Sequence, residues 1–297
     1  MPGHTMNRTL TSDLLLLLTA LIWGCAFVAQ RLGMDHMGPF TYNGVRFALG
    51  SLALVPLFLR LERGERGRQL RTPPLGLTRG GLLLGLVLFA GATLQQQGLI
   101  STSAGKAGFI TGMYVVLVPV LGLFLGQKTG LLTWVGAVMA AVGLYFLSVT
   151  QGFTIEHGDL LVFIGAFFWA GHVLFIGWLT PGLTAGQAVR LSSIQFATCA
   201  ILSLIAAFIL EDVSLAGILS GTGPILYGGL MSVGVAYTLQ VVAQRDANPS
   251  HAAIILNMET VFAAVAGVLF LDETMGLRAL LGCGLMLAGM LLSQLKP

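Results

Sequence analysis

Glu259 is the one acidic residue that falls deep inside a long apolar run, eight positions after His251 and thirteen before Asp272. A charged carboxylate at a bilayer centre costs about 2.5 to 3.5 kcal/mol on insertion scales, so such a residue faces a protein interior and often carries function. It offers either a protonatable site able to couple to a proton gradient or a structural carboxyl group bonded to a neighbouring helix. Asn257 and Thr260 lie three apart beside it and make LNMET a polar stripe in an apolar stretch. Arg46, three residues after Asn43, is the basic counterpart in another apolar run. Its guanidinium suits a carboxylate; a snorkelling arginine or a structural ion pair is the alternative.

Trp23 and Trp169 stand within two further apolar runs, with Phe27 and Gln30 continuing the face of the first and His172 one turn beyond the second. Together they would line a cavity for a small amphipathic solute, or merely fill gaps between crossing helices. Gln95, Gln96 and Gln97 point around most of a turn, so at most two share a cavity, and Tyr114, Gln195, Tyr237 and Gln240 add polar groups to other runs. Interhelical hydrogen bonding accounts for any one of these taken singly. Pro119 is expected to kink its helix and free a carbonyl.

Enzymatic chemistry finds no framework. The sequence has no HExxH, GxSxG or P-loop pattern, and His4, His36, His157, His172 and His251 are scattered without ligand spacing. No cofactor or metal is implied. Cys25, Cys199 and Cys283 each sit in a different apolar segment and read as small hydrophobes.

The elements that hold these residues follow from composition. Hydrophobic residues make up 56% of the chain and charged ones 9%, with a mean hydropathy of +0.88. Ordinary soluble domains carry roughly 25% charged residues, so lipid is the solvent for most of this chain. Ten stretches near the roughly 20-residue length of a transmembrane helix can be marked: 13–32, 40–59, 77–98, 104–125, 131–149, 160–179, 187–210, 225–243, 252–271 and 277–295. Continuous runs without strict alternation argue against an outer-membrane barrel, and the 40 glycines favour close helix packing. The fold class is therefore all-α integral membrane.

Arg8, Arg60, Arg63, Arg66, Arg68, Arg71, Arg79, Lys128, Arg190, Arg245 and Lys296 gather on one side of such a topology. Asp35, Glu156, Asp159, Glu211, Asp212, Asp272 and Glu273 gather on the other, with Arg31, Lys106 and Arg278. The excess of Lys and Arg places both termini in the cytoplasm and explains the arginine-rich loop without a nucleic-acid partner. Lys106, at a helix start, reads as snorkelling.

An offset of 146 residues lays TALIWGCAF over GAFFWAGHV and carries Phe124, Leu125, Gly130, Gly136 and Gly143 onto Phe270, Leu271, Gly276, Gly282 and Gly289. Residues 1–150 and 151–297 thus form two five-helix repeats. An odd number of spans per repeat forces the second to enter the membrane from the opposite side, giving an inverted repeat, which suits alternating access with substrate held between the halves. A channel and a non-transporting scaffold are the competing classes.

The A-x-x-W-G/A phrase of both halves, TGMYVVLVPVLG, and the stretch from Ser250 through FLDET resemble the EamA-type transporters of the drug/metabolite transporter superfamily over nearly the whole chain. The resemblance implies an inner-membrane secondary transporter exporting amino acids, related metabolites or toxic compounds. It implies a cavity lined by Trp23, Gln95, Tyr114, Trp169, His172, Tyr237, Asn257 and Glu259. Gln127 replaces the acidic residue common at the end of the fourth helix. Thr260 replaces a proline common after the glutamate of the ninth, which leaves that helix expected to be straighter. One deep arginine without a basic cluster disfavours a highly phosphorylated substrate.

Overall fold

Helix starts follow local capping chemistry in a computed structural model that describes residues 3–65, 72–102, 104–148, 156–270 and 276–295. Arg66, Arg68, Arg71, Asp272, Glu273 and Lys296 lie outside the described residues, as do the side chains of His4, Arg8 and Lys106 and the last four residues of FLDET.

Helix α1 (Gly3–Met34) is followed by α2 (Pro39–Gly64), which begins with proline at a position whose N–H has no intrahelical partner. After α3 (Leu77–Gly98), α4 (Ala104–Gly112) and α5 (Tyr114–Phe124) form one broken span, and Gly126, at φ +72°, turns the chain towards α6 (Leu131–Ser148). The second half holds α7 (His157–Leu179), α8 (Ala185–Leu210) and the short α9 (Leu215–Ser220). A span follows in which α10 (Thr222–Leu226) passes through a π-helical segment, Tyr227–Tyr237, into α11 (Thr238–Ala243). The broken pair α12 (Pro249–Leu256) and α13 (Glu259–Phe270) and then α14 (Leu277–Gln294) complete the described helices. Thr184 caps α8 in a capping box with Gln187, and Asn248 caps α12.

Eight of these segments are long and apolar enough to cross a membrane, and Leu131–Leu147 and Leu277–Ser293 are shorter apolar helices. Polarity is inverted relative to a water-soluble domain. Large apolar side chains such as Leu52, Leu131, Phe208 and Ile209 face outward, while Gln30, Asn43, Arg46, Gln96, His172, Gln195, Gln240, Asn257 and Glu259 are buried. The chain is a multi-pass membrane protein whose outer surface meets lipid.

Helices α2 and α8 are each 26 residues long and α6 and α14 each 18, and within both pairs the two starts stand 146 residues apart. The contacts come in counterparts at the same offset. Helix α3 packs on α7 and α8, as the stretch Thr222–Ala243 packs on α1 and α2; α1 meets α13, as α7 meets α4 and α5. Along α6 and α14, a Cβ at Gly136 would lie 2.6 Å from the Gly289 carbonyl oxygen and one at Gly143 would lie 2.6 Å from that of Gly282. The two helices therefore run antiparallel at backbone contact.

The α2–α8 pair is tied at both ends. Glu65, just past α2, accepts hydrogen bonds from Thr184 Oγ1 (2.6 Å) and the Gly186 N–H (3.2 Å) at the start of α8. Glu211, just past α8, accepts from the N–H groups of Phe40 (2.7 Å) and Thr41 (2.8 Å) and from Thr41 Oγ1 (2.7 Å) at the start of α2. Each carboxylate meets the positive end of the facing helix as well as its free N–H groups. Hydrogen bonds to charged groups contribute roughly 1.5 to 3 kcal/mol each when buried, less at half-buried sites such as these. Glu211→Ala is accordingly expected to lower thermal stability in detergent by about 1 to 3 kcal/mol, more than Glu65→Ala. Equal unfolding temperatures for the two variants and wild type would refute the capping role.

The two broken spans are interrupted at positions the sequence reading did not mark. Helix α5 runs unbroken through Pro119, and the interruption falls earlier, at Met113. The ninth span is not straighter for having Thr260 in place of proline: it breaks between α12 and α13, at Asn257 and Met258. A threonine supports such a break because its hydroxyl supplies the bond the helix forgoes, and Thr260 Oγ1 donates to the Asn257 carbonyl oxygen at 2.7 Å. The breaks face each other, since a Cβ at Gly112 would come within 2.5 Å of Asn257 Oδ1.

Candidate functional site

Between two apolar clusters, one around α5, α6, α12 and α14 and the other around α2, α3 and α8, lies a cavity. Trp23 and Trp169 pack against both clusters and line the cavity. Trp23 reaches the cavity from α1 with its indole N–H donating to the Ser232 carbonyl oxygen at 3.2 Å. Gly24 lets this happen: a Cβ there would fall 2.7 Å from the Glu259 carbonyl oxygen, so α1 touches the backbone of α13 where the carboxylate emerges.

Tyr237 is the centre of the aromatic lining. Its ring is 4.5 Å from that of Trp23, 6.2 Å from and nearly parallel to that of Trp169, and 6.1 Å from the His172 imidazole. The π-helical winding sets this arrangement. Residues five apart come near one face in a π-helix; along this segment Tyr227 Oη donates to the Ile22 carbonyl oxygen of α1 at 2.9 Å, the Ser232 carbonyl oxygen accepts from Trp23, and the Tyr237 ring meets that of Trp23. Gly228 and Gly229 make room on the α2 side, since Cβ atoms there would lie 2.6 Å from Tyr42 Oη and 2.7 Å from Leu49 Cδ2.

The polar groups are held by partners both behind and within the lining. Arg46 is buried, with its Nε donating to Asn43 Oδ1 at 3.0 Å and its guanidinium carbon 5.2 Å and 4.8 Å from the ring centres of Tyr42 and Phe47. Asn43 is in turn fixed by donating to the Ala92 carbonyl oxygen at 3.2 Å. His172 Nε2 meets Gln195 Oε1 at 2.8 Å. Gln95 donates to Gln30 Oε1 at 3.2 Å and accepts from Thr111 Oγ1 at 3.4 Å. Glu259, the first residue of α13, is buried beside Tyr114.

Of the residues singled out by sequence, Trp23, Arg46, Gln95, Tyr114, Trp169, His172, Tyr237 and Glu259 line this one cavity, with Phe27, Gln30 and Gln240. Asn257 does not. It lies fully buried at the α12–α13 break, against Gly112, and both side-chain polar atoms lack a partner. Of the three glutamines, Gln96 turns away to donate to the Gln30 carbonyl oxygen, leaving Gln95 in the lining. Thr111 and Ser232 also line it and were not picked out in the sequence. Thr111 was legible at helical spacing from Tyr114, whereas Ser232 needs the π register to reach Tyr237's face. Among the described residues, no cluster of His, Cys, Asp and Glu is placed to hold a metal ion.

The sequence profile of the EamA-like transporter family matches this chain twice, over residues 10–149 and 157–295. The chain belongs to the EamA-like transporter family. It is 31% identical to a protein of Archaeoglobus fulgidus described as an uncharacterized transporter, over 97% of this chain and 87% of that one. It is 28% identical to the threonine/homoserine exporter RhtA of Salmonella typhimurium over 98% and 94% of the two chains. The inner membrane transporter YedA of Escherichia coli is 27% identical over 86% and 81%. A crystal structure superposes with a TM-score of 0.76 at 17% identity, covering 95% of this chain and 96% of that one, which shows the fold alone.

Proposed function

We propose that this protein is a secondary transporter that exports small metabolites, amino acids or related amphipathic compounds foremost, across the inner membrane by alternating access. The observation that carries the reading is the cavity itself: an aromatic-walled space with a few converging polar groups, bordered by helices from both parts of the chain. The name of the threonine/homoserine exporter, similar over nearly its whole length, supports the substrate class.

Ten membrane helices in two inverted halves, 1–150 and 151–297, supply the mechanism. An 18-residue helix spans about 27 Å, so α6 and α14 reach nearly across the roughly 30 Å hydrocarbon core. The double family match, the offset of 146 in helix positions, and the antiparallel Gly136–Gly289 and Gly143–Gly282 contacts support a two-fold axis lying in the membrane plane. So do the matching caps by Glu65 and Glu211. The two halves rock about the cavity, exposing it to each side in turn. Charge asymmetry supports cytoplasmic termini, and Glu259 is the group through which protons would couple to export.

Counterflow of pooled radiolabelled amino acids in proteoliposomes tests the reading, with empty liposomes alongside. Saturable exchange is expected for some members. Unsaturable flux or current would replace the carrier with a channel, and no flux of any solute by folded protein would sink transport.

A further inference from the structure

Arg46 and Glu259 bring a guanidinium and a carboxyl group to one cavity, and among the described residues no ion pair joins them. The guanidinium is anchored through Nε and lies against two aromatic rings, which leaves its two terminal nitrogens free: no hydrogen bond or ion pair engages them among the described residues. Glu259 has Tyr114 beside it and no cationic partner among the described residues. Tyr237 lines the same cavity as both. A buried guanidinium and a buried carboxyl group held apart are each costly to charge without a partner, because a buried charge loses its hydration uncompensated.

We infer that the pair reads both ends of a zwitterion, and that this is the specificity rule of the cavity. It rests on the transport reading above. A ligand carboxylate takes the fork of free Arg46 N–H donors, whose geometry matches it bidentately. A ligand ammonium takes Glu259. The apolar part of the ligand lies on Tyr237 between Trp23 and Trp169. A zwitterion neutralises both groups while adding no net charge to the low-dielectric interior. A solute with only one charge leaves the other protein group unpaired, so both charges are required.

The test uses leucine, threonine and phenylalanine, each beside its amide and its N-acetyl derivative, as competitors of counterflow and as ligands raising the unfolding temperature of purified protein. At least one free amino acid is expected to bind, with its amide and its N-acetyl form each weaker by about 10²-fold, the usual scale for removing one partner of a buried charge pair. Arg46→Gln is expected to level amino acid and amide, and Glu259→Gln to level amino acid and N-acetyl derivative. If either variant fails to fold, the wild-type series decides. A derivative that binds as well as its parent overturns the inference and leaves transport standing, as does counterflow of other solutes with no binding by any of the three amino acids. Absence of saturable flux for every solute overturns the transport reading and this inference with it.

Discussion

Glu259→Gln is expected to cut the counterflow rate by on the order of 10²-fold and to flatten its dependence on external pH, while the purified protein unfolds at the same temperature as wild type or higher. The amide keeps the volume and shape of the side chain, so the packing of α13 on α1 at Gly24 survives. What is lost is a buried group able to carry charge or a proton, placed by the α12–α13 break at the mouth of α13 and facing the aromatic lining. Removing an unpaired buried ionisable group relieves a desolvation cost, which is why stability should hold or rise while transport falls. Transport at an unchanged rate with an unchanged pH profile would remove Glu259 from both substrate and proton handling. A purely structural carboxyl would show the opposite pattern, a lower unfolding temperature with little effect on flux.

Gly24→Ala should damage the site from behind. An added methyl would lie 2.7 Å from the Glu259 carbonyl oxygen, 2.8 Å from Phe262 Cβ and 2.9 Å from the Ala263 nitrogen, none of which can move by a rotamer change. Helix α1 must shift away from α13, displacing Trp23 and Glu259 relative to each other. Overpacking of this kind costs about 1 to 3 kcal/mol, and counterflow is expected to fall with it. Gly171→Ala is the control, since its nearest neighbour would be Phe175 Cε2 at 4.0 Å. Equal thermal stability and flux for the two variants would show that the α1–α13 contact is not tight in the working protein. The second half already carries Ala170 where the first has Gly24, so the requirement for a bare backbone is specific to α1.

Most of the site was legible because the bilayer makes polar residues expensive. A residue such as Arg46, Gln95 or Glu259 inside an apolar run must turn inward, so a search for polar interruptions is already a search for lining. Trp23 and Trp169 were legible for another reason, their equal places in a repeated phrase. Asn257 shows where this logic stops. It is as polar and as buried as the others, but it sits at a helix break against Gly112, and only the path of the chain separates packing a break from facing a cavity. Ser232 fails in the opposite sense: at α-helical winding it lies well off the face of Tyr237, and π winding brings the two together.

By itself the sequence determined that the chain lives in lipid, that its apolar runs are helices, that its two halves share a pattern at a fixed offset, and which polar residues had to be sheltered. These follow from local chemistry, namely the cost of exposed backbone and charge in hydrocarbon. The tertiary structure alone decided where the fourth and ninth spans break, that Tyr227–Tyr237 winds as a π-helix, and that Arg46 and Glu259, more than 200 residues apart in the chain, line one cavity with Tyr237. Those outcomes depend on how closely glycines let distant backbones approach and on which hydrogen bonds neighbouring helices supply, energies that no single segment contains.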